Sequence, residues 1–348
     1  MKRKKRFLLI ICCTVLSTTV IGCNAKKSPP QPTTTVTATP AETAASTPAP
    51  TAETVNPYTF PLTGLGSMTE LNTRPFLVTV ENSPAARPQS GLDKADIVYE
   101  VLAEGEITRF LAIFQSQQPT IIGPVRSMRP YFVEIGHGLD AILVHAGWSQ
   151  DAMNMMVKLG VAHLDELYGD GASYWRSKER KAPHNLYTSF EKATEGAARR
   201  KFRTTWTNPQ LLFAQKDLKV EGLPAKRVDI PYLLGYKVAY NYDEATGLYM
   251  REMDGKPHLD KETGVQLFAN NLFIIETKHR VLDNAGRQSV DVQGPGDGYL
   301  LQQGKVQTIK WEMKNGAIRA YKDGKELPLL PGKTWVQIVP LGTKTAFQ

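Results

Sequence analysis

Pro75-Phe76-Leu77-Val78-Thr79-Val80-Glu81 reads as a β-strand, a short apolar run rich in β-branched residues. Asp96 to Leu102, Arg109 to Gln115, Thr120 to Val125 and Ala141 to His145 share its texture. Helical spacing appears between and after them, at Pro130 to Gly136, Gln150 to Leu159 and Ser189 to Phe202. The last of these opens with Thr188-Ser189-Phe190-Glu191, which has the spacing of a capping box. Short strands alternating with helices predict an α/β or α+β N-terminal domain, a mixed sheet with helices, over residues 57–205. Strand order is not readable from such a pattern.

From about residue 228 the helical period disappears. Lys237 to Tyr242 and Gly247 to Met253 flank Asp243-Glu244-Ala245-Thr246 as a hairpin. Further strands are expected at Phe268 to Lys278, Ser289 to Gln293, Gly298 to Gln302, Val306 to Met313, Ile318 to Lys322 and Thr334 to Pro340. Gly294-Pro295-Gly296, Lys314-Asn315-Gly316 and Pro331-Gly332 punctuate them as turns. Residues 228–348 therefore predict a β-rich C-terminal domain, joined to the first by a connector at 206–227.

The 348 residues, 41% hydrophobic and 9% aromatic, suit a folded protein of about two domains. Met1 to Gly22 reads as a signal peptide, with a basic start from Lys2 to Arg6 and an apolar run too short to span a bilayer. It ends in Val20-Ile21-Gly22-Cys23, which resembles a bacterial lipobox. Cys23 would become the first mature residue and carry the acyl (palmitate) anchor, placing the protein on the extracytoplasmic face of the cell membrane. Residues 23–56, rich in Pro, Thr and Ala, predict an extended disordered tether.

That address changes the meaning of the charge. With 42 Lys and Arg against 34 Asp and Glu the chain carries a formal +8, which taken alone invites nucleic-acid binding. Five of those charges lie in Lys2 to Arg6, and Lys26 and Lys27 are offset by Glu42 and Glu53. The folded part keeps 35 bases against 32 acids, and residues 57–205 hold sixteen of each. Between 174 and 203, nine Lys and Arg face three Glu. A neutral domain with one basic stretch suits a local anion site better than a nucleic-acid surface, so no nucleic acid is expected.

Three groupings could carry chemistry. Ile121 to Pro130 runs from a strand into a helix start and brings Arg126, Ser127 and Arg129 near exposed helix N–H groups, with Arg109 on a neighbouring strand. Guanidinium forks and a helix N-terminus both attract phosphate or carboxylate. The competing reading has these arginines paired with Glu100, Glu104 and Glu106, knitting the domain together. His145-Ala146-Gly147-Trp148-Ser149 again runs from strand into helix, where ligands are favoured in α/β sheets. Ser149 is a helix N-cap or a nucleophile, and His145 a general base or a structural histidine. Asp151 stands where a Gly-x-Ser-x-Gly elbow needs its second glycine. The third grouping, Tyr174 to Tyr187, mixes aromatics with Arg176, Arg180, His184 and Asn185. No metal site and no cofactor are expected, since the His258/Asp260 and His137/Asp140 pairs are loose and no nucleotide-binding glycine loop follows a strand.

Ala86-Arg87-Pro88-Gln89-Ser90-Gly91-Leu92, Ala95 to Glu100, Gly123-Pro124-Val125-Arg126-Ser127 and Ala182-Pro183-His184-Asn185-Leu186-Tyr187 resemble the YerB-like lipoproteins of Gram-positive bacteria. So does a C-terminal part containing Ile309 to Glu312 and Pro331 to Trp335. The resemblance implies a cell-envelope lipoprotein of two associated domains with no established activity. Met128 departs from it, standing where a small residue is expected. In outline, the order of strands, arginines and His-Ala-Gly-Trp-Ser is also similar to envelope phosphotransferases of the LytR-CpsA-Psr type, without their acidic metal-binding pattern.

The leading expectation is an anionic ligand, a wall polymer or lipid-linked phosphate, held by Arg109, Arg126, Ser127, Arg129, His145, Arg176, Arg180, His184 and Asn185. An envelope hydrolase or phosphoryl/acyl transferase is the alternative, with Ser149 or Ser127 as nucleophile and His145 or His184 as acid/base. A structural, partner-binding lipoprotein is the third.

Overall fold

The structure, a computed structural model, describes residues 56–348 except 207–208, 216–217 and 233–234. The expected signal peptide, Cys23 and the tether up to residue 55 lie outside the described residues, as does the side chain of Glu106. The first half supplies β1 (Phe76–Glu81), β2 (Ile97–Leu102), β3 (Thr108–Phe114), α1 (Pro130–Gly138), β4 (Ile142–His145), α2 (Gln150–Leu159), β5 (His163–Asp165) and α3 (Phe190–Arg199). The second half adds β6 (Arg227–Pro231), β7 (Lys237–Asp243), β8 (Leu248–Met253), β9 (Asn271–Thr277), β10 (Gly296–Gln302), β11 (Lys305–Lys314), β12 (Ala317–Lys322) and β13 (Thr334–Pro340). A mixed sheet with helices followed by a strand-rich half is the expected fold class.

One sheet crosses both halves, in the order β12-β11-β10-β9-β13-β2-β3-β1-β4-β5. The join is β13, which runs parallel to β9 on one side and to β2 on the other, with Val336 opposite Tyr99 and Ile338 opposite Val101. Both strands are near-continuously apolar, as expected where a parallel sheet is covered on both faces. Period-two alternation sorts the side chains. Phe76, Val78 and Val80 join Phe110, Trp335, Tyr240 and Tyr249 on one face. Leu77 joins Phe132, Ile135, Leu143 and Trp311 on the other. An antiparallel sheet of β8, β7 and β6, together with α3, covers the first face, and α1 and α2 cover the second.

A buried ion pair locks the halves. Arg251 of β8 places Nη2 2.8 Å from Glu100 Oε2 of β2, and neither side chain is exposed to solvent. The Arg251 guanidinium lies 4.8 Å from the Trp335 ring centroid and also donates to Tyr240 and His258. Glu100 accepts from Thr108 (2.8 Å) and Asn82 (3.1 Å). The competing reading, in which Glu100 pairs with an arginine of the first half, does not hold for this residue. Instead the register of β2 against β3 turns it toward the second sheet.

Three local readings are corrected. Thr120 to Val125 forms only isolated bridges, Ile122 to Thr188, Gly123 to Ser90 and Val125 to Val80. Pro124 has no N–H to sustain a ladder. Phe268 to Lys278 breaks at Asn270. Phe268 and Ala269 pair with β8, while Asn271 onward enters the central sheet, so one apolar run serves two sheets. The capping box expected before α3 does not form, because the N-cap falls one residue later and places Lys192 where the box needs Glu or Gln. Ser189, not Thr188, caps the helix by accepting from Lys192 N (3.0 Å), and Thr188 Oγ1 donates to Ser173 O.

Candidate functional site

β1, β4 and β5 are parallel, so Glu81, His145 and Asp165 end on one edge of the sheet. β3 runs the other way and brings Arg109 directly opposite Glu81. The chain then crosses this edge into α1, with Arg126 N donating to Thr79 O and Pro130 in the first helical turn. Arg109, Arg126, Ser127 and Arg129 are thereby gathered at the carboxyl edge, the favoured ligand position of such sheets.

Their charges are largely answered by protein carboxylates. Glu104 receives Arg129 through one oxygen and Arg109 Nη2 (2.8 Å) through the other. Burial opposes the Glu104 charge, yet the two guanidinium groups outweigh it and hold the carboxyl below its ordinary range. Burial and the neighbouring Arg129 bring Arg109 down to about 10, which leaves it charged at neutral pH. Arg109 also donates to Ser127 O (2.9 Å). The second carboxylate, Glu81, is nearly buried. Its Oε1 meets Ser83 Oγ (2.6 Å), Arg126 Nη2 (2.8 Å) and His184 Nδ1 (2.9 Å), while its shielded Oε2 has no partner among the described residues.

His184 and Asn185 continue the edge. Asn185 accepts from Arg176 (3.2 Å), whose other terminal nitrogen meets Glu166 (3.1 Å). Arg180 stands apart, tying the carbonyls of Ala86 and Pro88 and the Tyr187 hydroxyl. The five arginines therefore do not face one open pocket. Arg126, at 24% side-chain exposure, remains open to solvent beside His184, with which it shares Glu81, and Arg176, at 45%, remains open beside Asn185.

Neither expected nucleophile meets a histidine. Ser149 caps α2 by accepting from Ala152 N, and Ser127 Oγ donates to Ala146 O (2.8 Å). His145 is fully buried, its Nδ1 donating to Gly147 O (3.0 Å) and its Nε2 facing His163 Nδ1 (3.2 Å). Burial lowers its pKa to about 4, so it is neutral at pH 7. Glu81, Ser83, His163 and Asp165 were not singled out in the sequence. For Glu81 and Asp165 the available signal is the strand end itself. Among the described residues no group of three or more His, Cys, Asp or Glu is disposed to hold a metal, and no helix is long and apolar enough to cross a membrane.

The buried histidines set an acid response. A histidine whose folded pKa is depressed stabilises the fold above its unfolded value, near 6.5, and loses that contribution as pH falls toward its folded value. Burial likewise lowers His163 and His258. Urea unfolding is expected to lose on the order of 3 kcal/mol from His145 alone between pH 6.5 and 4. His145→Gln should show a smaller loss, and a stability flat over that window would contradict the assignment.

Residues 62–203 match the family described as protein of unknown function (DUF3048) N-terminal domain, and residues 228–336 match its C-terminal domain. A Bacillus subtilis (strain 168) relative bearing the name "Putative lipoprotein YerB" is 44% identical over 284 residues, 80% of this chain and 86% of that one. The crystal structure of YerB protein from Bacillus subtilis superposes with a TM-score of 0.77 at 43% identity, covering 84% of this chain and 99% of the other. With both domains matched in order and the fold shared with a solved relative, the chain belongs to the DUF3048 family, alongside YerB.

Proposed function

We propose that this is a lipid-anchored cell-envelope protein, held on the extracytoplasmic face through Cys23, that binds an anionic envelope ligand such as a wall polymer or lipid-linked phosphate. The binding rim is Arg126, His184, Asn185 and Arg176. It is narrower than the set expected from sequence, because Arg109 and Arg129 are engaged by Glu104 and Arg180 by backbone carbonyls. One observation carries the reading. Arg126 spends a single nitrogen on Glu81, and the rest of its guanidinium fork has no partner among the described residues, beside a partly exposed His184. A phosphate oxygen approaching there gains charge-assisted hydrogen bonds without breaking an ion pair. The name of the Bacillus relative supports the anchor. The hydrolase or transferase alternative has no hydrogen bond from Ser127 or Ser149 to His145 or His184 to stand on.

Sedimentation with poly(glycerol phosphate) and with isolated cell-wall fractions tests it. Binding is expected to weaken about tenfold in Arg126→Ala, the loss of one charged hydrogen bond of ~1.5 kcal/mol, and to weaken as salt rises. No binding by the unmodified chain, or equal binding by Arg126→Ala and Arg176→Ala, defeats the proposal.

A further inference from the structure

Beside the arginine rim lies a second concavity that the anion reading does not use. It is a groove of about 420 Å³ between α2 and the segment after β5, lined by Trp148, Met153, His163, Asp165, Tyr168 and Arg200. The volume falls in the range of small-molecule sites. Trp148 and Tyr168 form a stacked pair, ring centroids 5.0 Å apart at 25°, and Tyr168 is 62% exposed.

Several polar atoms around this aromatic pair lack a partner among the described residues. His145 must donate from Nδ1 to the Gly147 carbonyl, and being neutral it can only accept at Nε2. His163 therefore donates from Nδ1, and since burial lowers its pKa too, its Nε2 carries a lone pair with no partner among the described residues. The Trp148 indole N–H and Asp165 Oδ2 are both shielded from water and unbonded. Arg200 is neutralised by a two-point bond to Asp170 (2.7 and 3.0 Å). The groove thus offers an apolar ring face and one acceptor, His163 Nε2, with the Trp148 N–H and Asp165 Oδ2 held behind its wall.

That set discriminates among ligands. An acyl chain would take water from His163 Nε2 and return no donor to it. An anion would meet Asp165. A ring that is apolar on its face and carries hydroxyls on its edge answers both the Tyr168 face and the His163 acceptor, to which a hydroxyl donates.

We propose that this groove is a carbohydrate subsite that takes a neutral sugar ring, stacked on the outer face of Tyr168, which Trp148 backs from behind, and hydrogen-bonded to His163. It rests on the envelope reading only for the source of the sugar, a wall glycan. Glu166 links the two places, since it pairs with Arg176 and immediately precedes Leu167 and Tyr168. One polymer could engage the rim with its anionic group and the groove with its sugar.

The test uses the full folded chain on an array of neutral and N-acetylated oligosaccharides, followed by fluorescence titration with the best-bound one. Saturable binding is expected, weakened at least tenfold in Tyr168→Ala and in Trp148→Ala, which removes the ring that backs Tyr168. Tyr168 is largely exposed, so an unchanged unfolding midpoint identifies its loss as one of contact rather than of fold. Poly(glycerol phosphate) is measured in parallel. Anionic binding without any sugar binding overturns the subsite and leaves the rim standing, whereas sugar binding alone does the reverse. Sugar binding that survives both substitutions also overturns it.

Discussion

A fragment spanning residues 57–227 is expected to lack a cooperative unfolding transition and a folded near-ultraviolet dichroism spectrum. Every residue of β2 is buried, and its outer side is hydrogen-bonded to β13, more than two hundred residues later in the chain. Without β13, Ile97 to Leu102 becomes a six-residue edge, apolar but for Glu100, open to other chains, which invites aggregation. Phe110 loses Trp335, whose ring stands 5.6 Å away, edge to face. Glu100 loses Arg251 and is left as an unpaired buried carboxylate. Adding residues 228–348 in trans should restore the transition. A 57–227 fragment that melts cooperatively alone, without binding a hydrophobic dye, would show that the first half does not depend on the shared strand.

Arg251→Met is expected to cost about 3–5 kcal/mol, among the largest single-residue effects in the molecule. The substitution keeps much of the volume against Trp335 and Tyr240 but strands Glu100 in the interior, where Thr108 and Asn82 still bond one oxygen. Glu100→Gln in the same background should recover part of the loss, because removing both charges is cheaper than removing one. Urea unfolding of the four chains of this cycle gives the coupling directly. A cost below about 1 kcal/mol for Arg251→Met, or strict additivity of the pair, would mean that the ion pair does not hold the halves together.

Much of the architecture is legible along the chain because it is local. β1, β2, β3 and β4 appear where period and β-branching place them, and α2 spans the residues its pattern predicts. The exceptions have named causes. Pro124 withholds an N–H from an apolar run, and Asn270 splits another between two sheets. The candidate site is legible in a weaker sense. Arg109, Arg126 and Arg129 do come together at the strand ends, but what they do there depends on which carboxylates arrive with them. Glu81 reaches Arg126 and His184 because β1 and β3 pair in a register that ends at Glu81 and Arg109, and Glu104 reaches Arg129 across 25 residues. Residue type does not reveal register, so a free arginine and a paired one look alike in the chain.

By itself the sequence determined that the chain has a mixed α/β first half and a β-rich second half, that its net charge is concentrated in its first residues, and that it belongs with the YerB-like proteins. Those properties are carried by composition, short-range period and contiguous motifs. Only the tertiary structure decided that one sheet runs through both halves, that Glu100 answers Arg251 rather than a nearer arginine, and that Arg126 and Arg176 are left open while Arg109 and Arg129 are not. Each of these depends on a strand pairing between residues far apart in the chain. In that pairing, a burial cost that no local pattern records selects the partner.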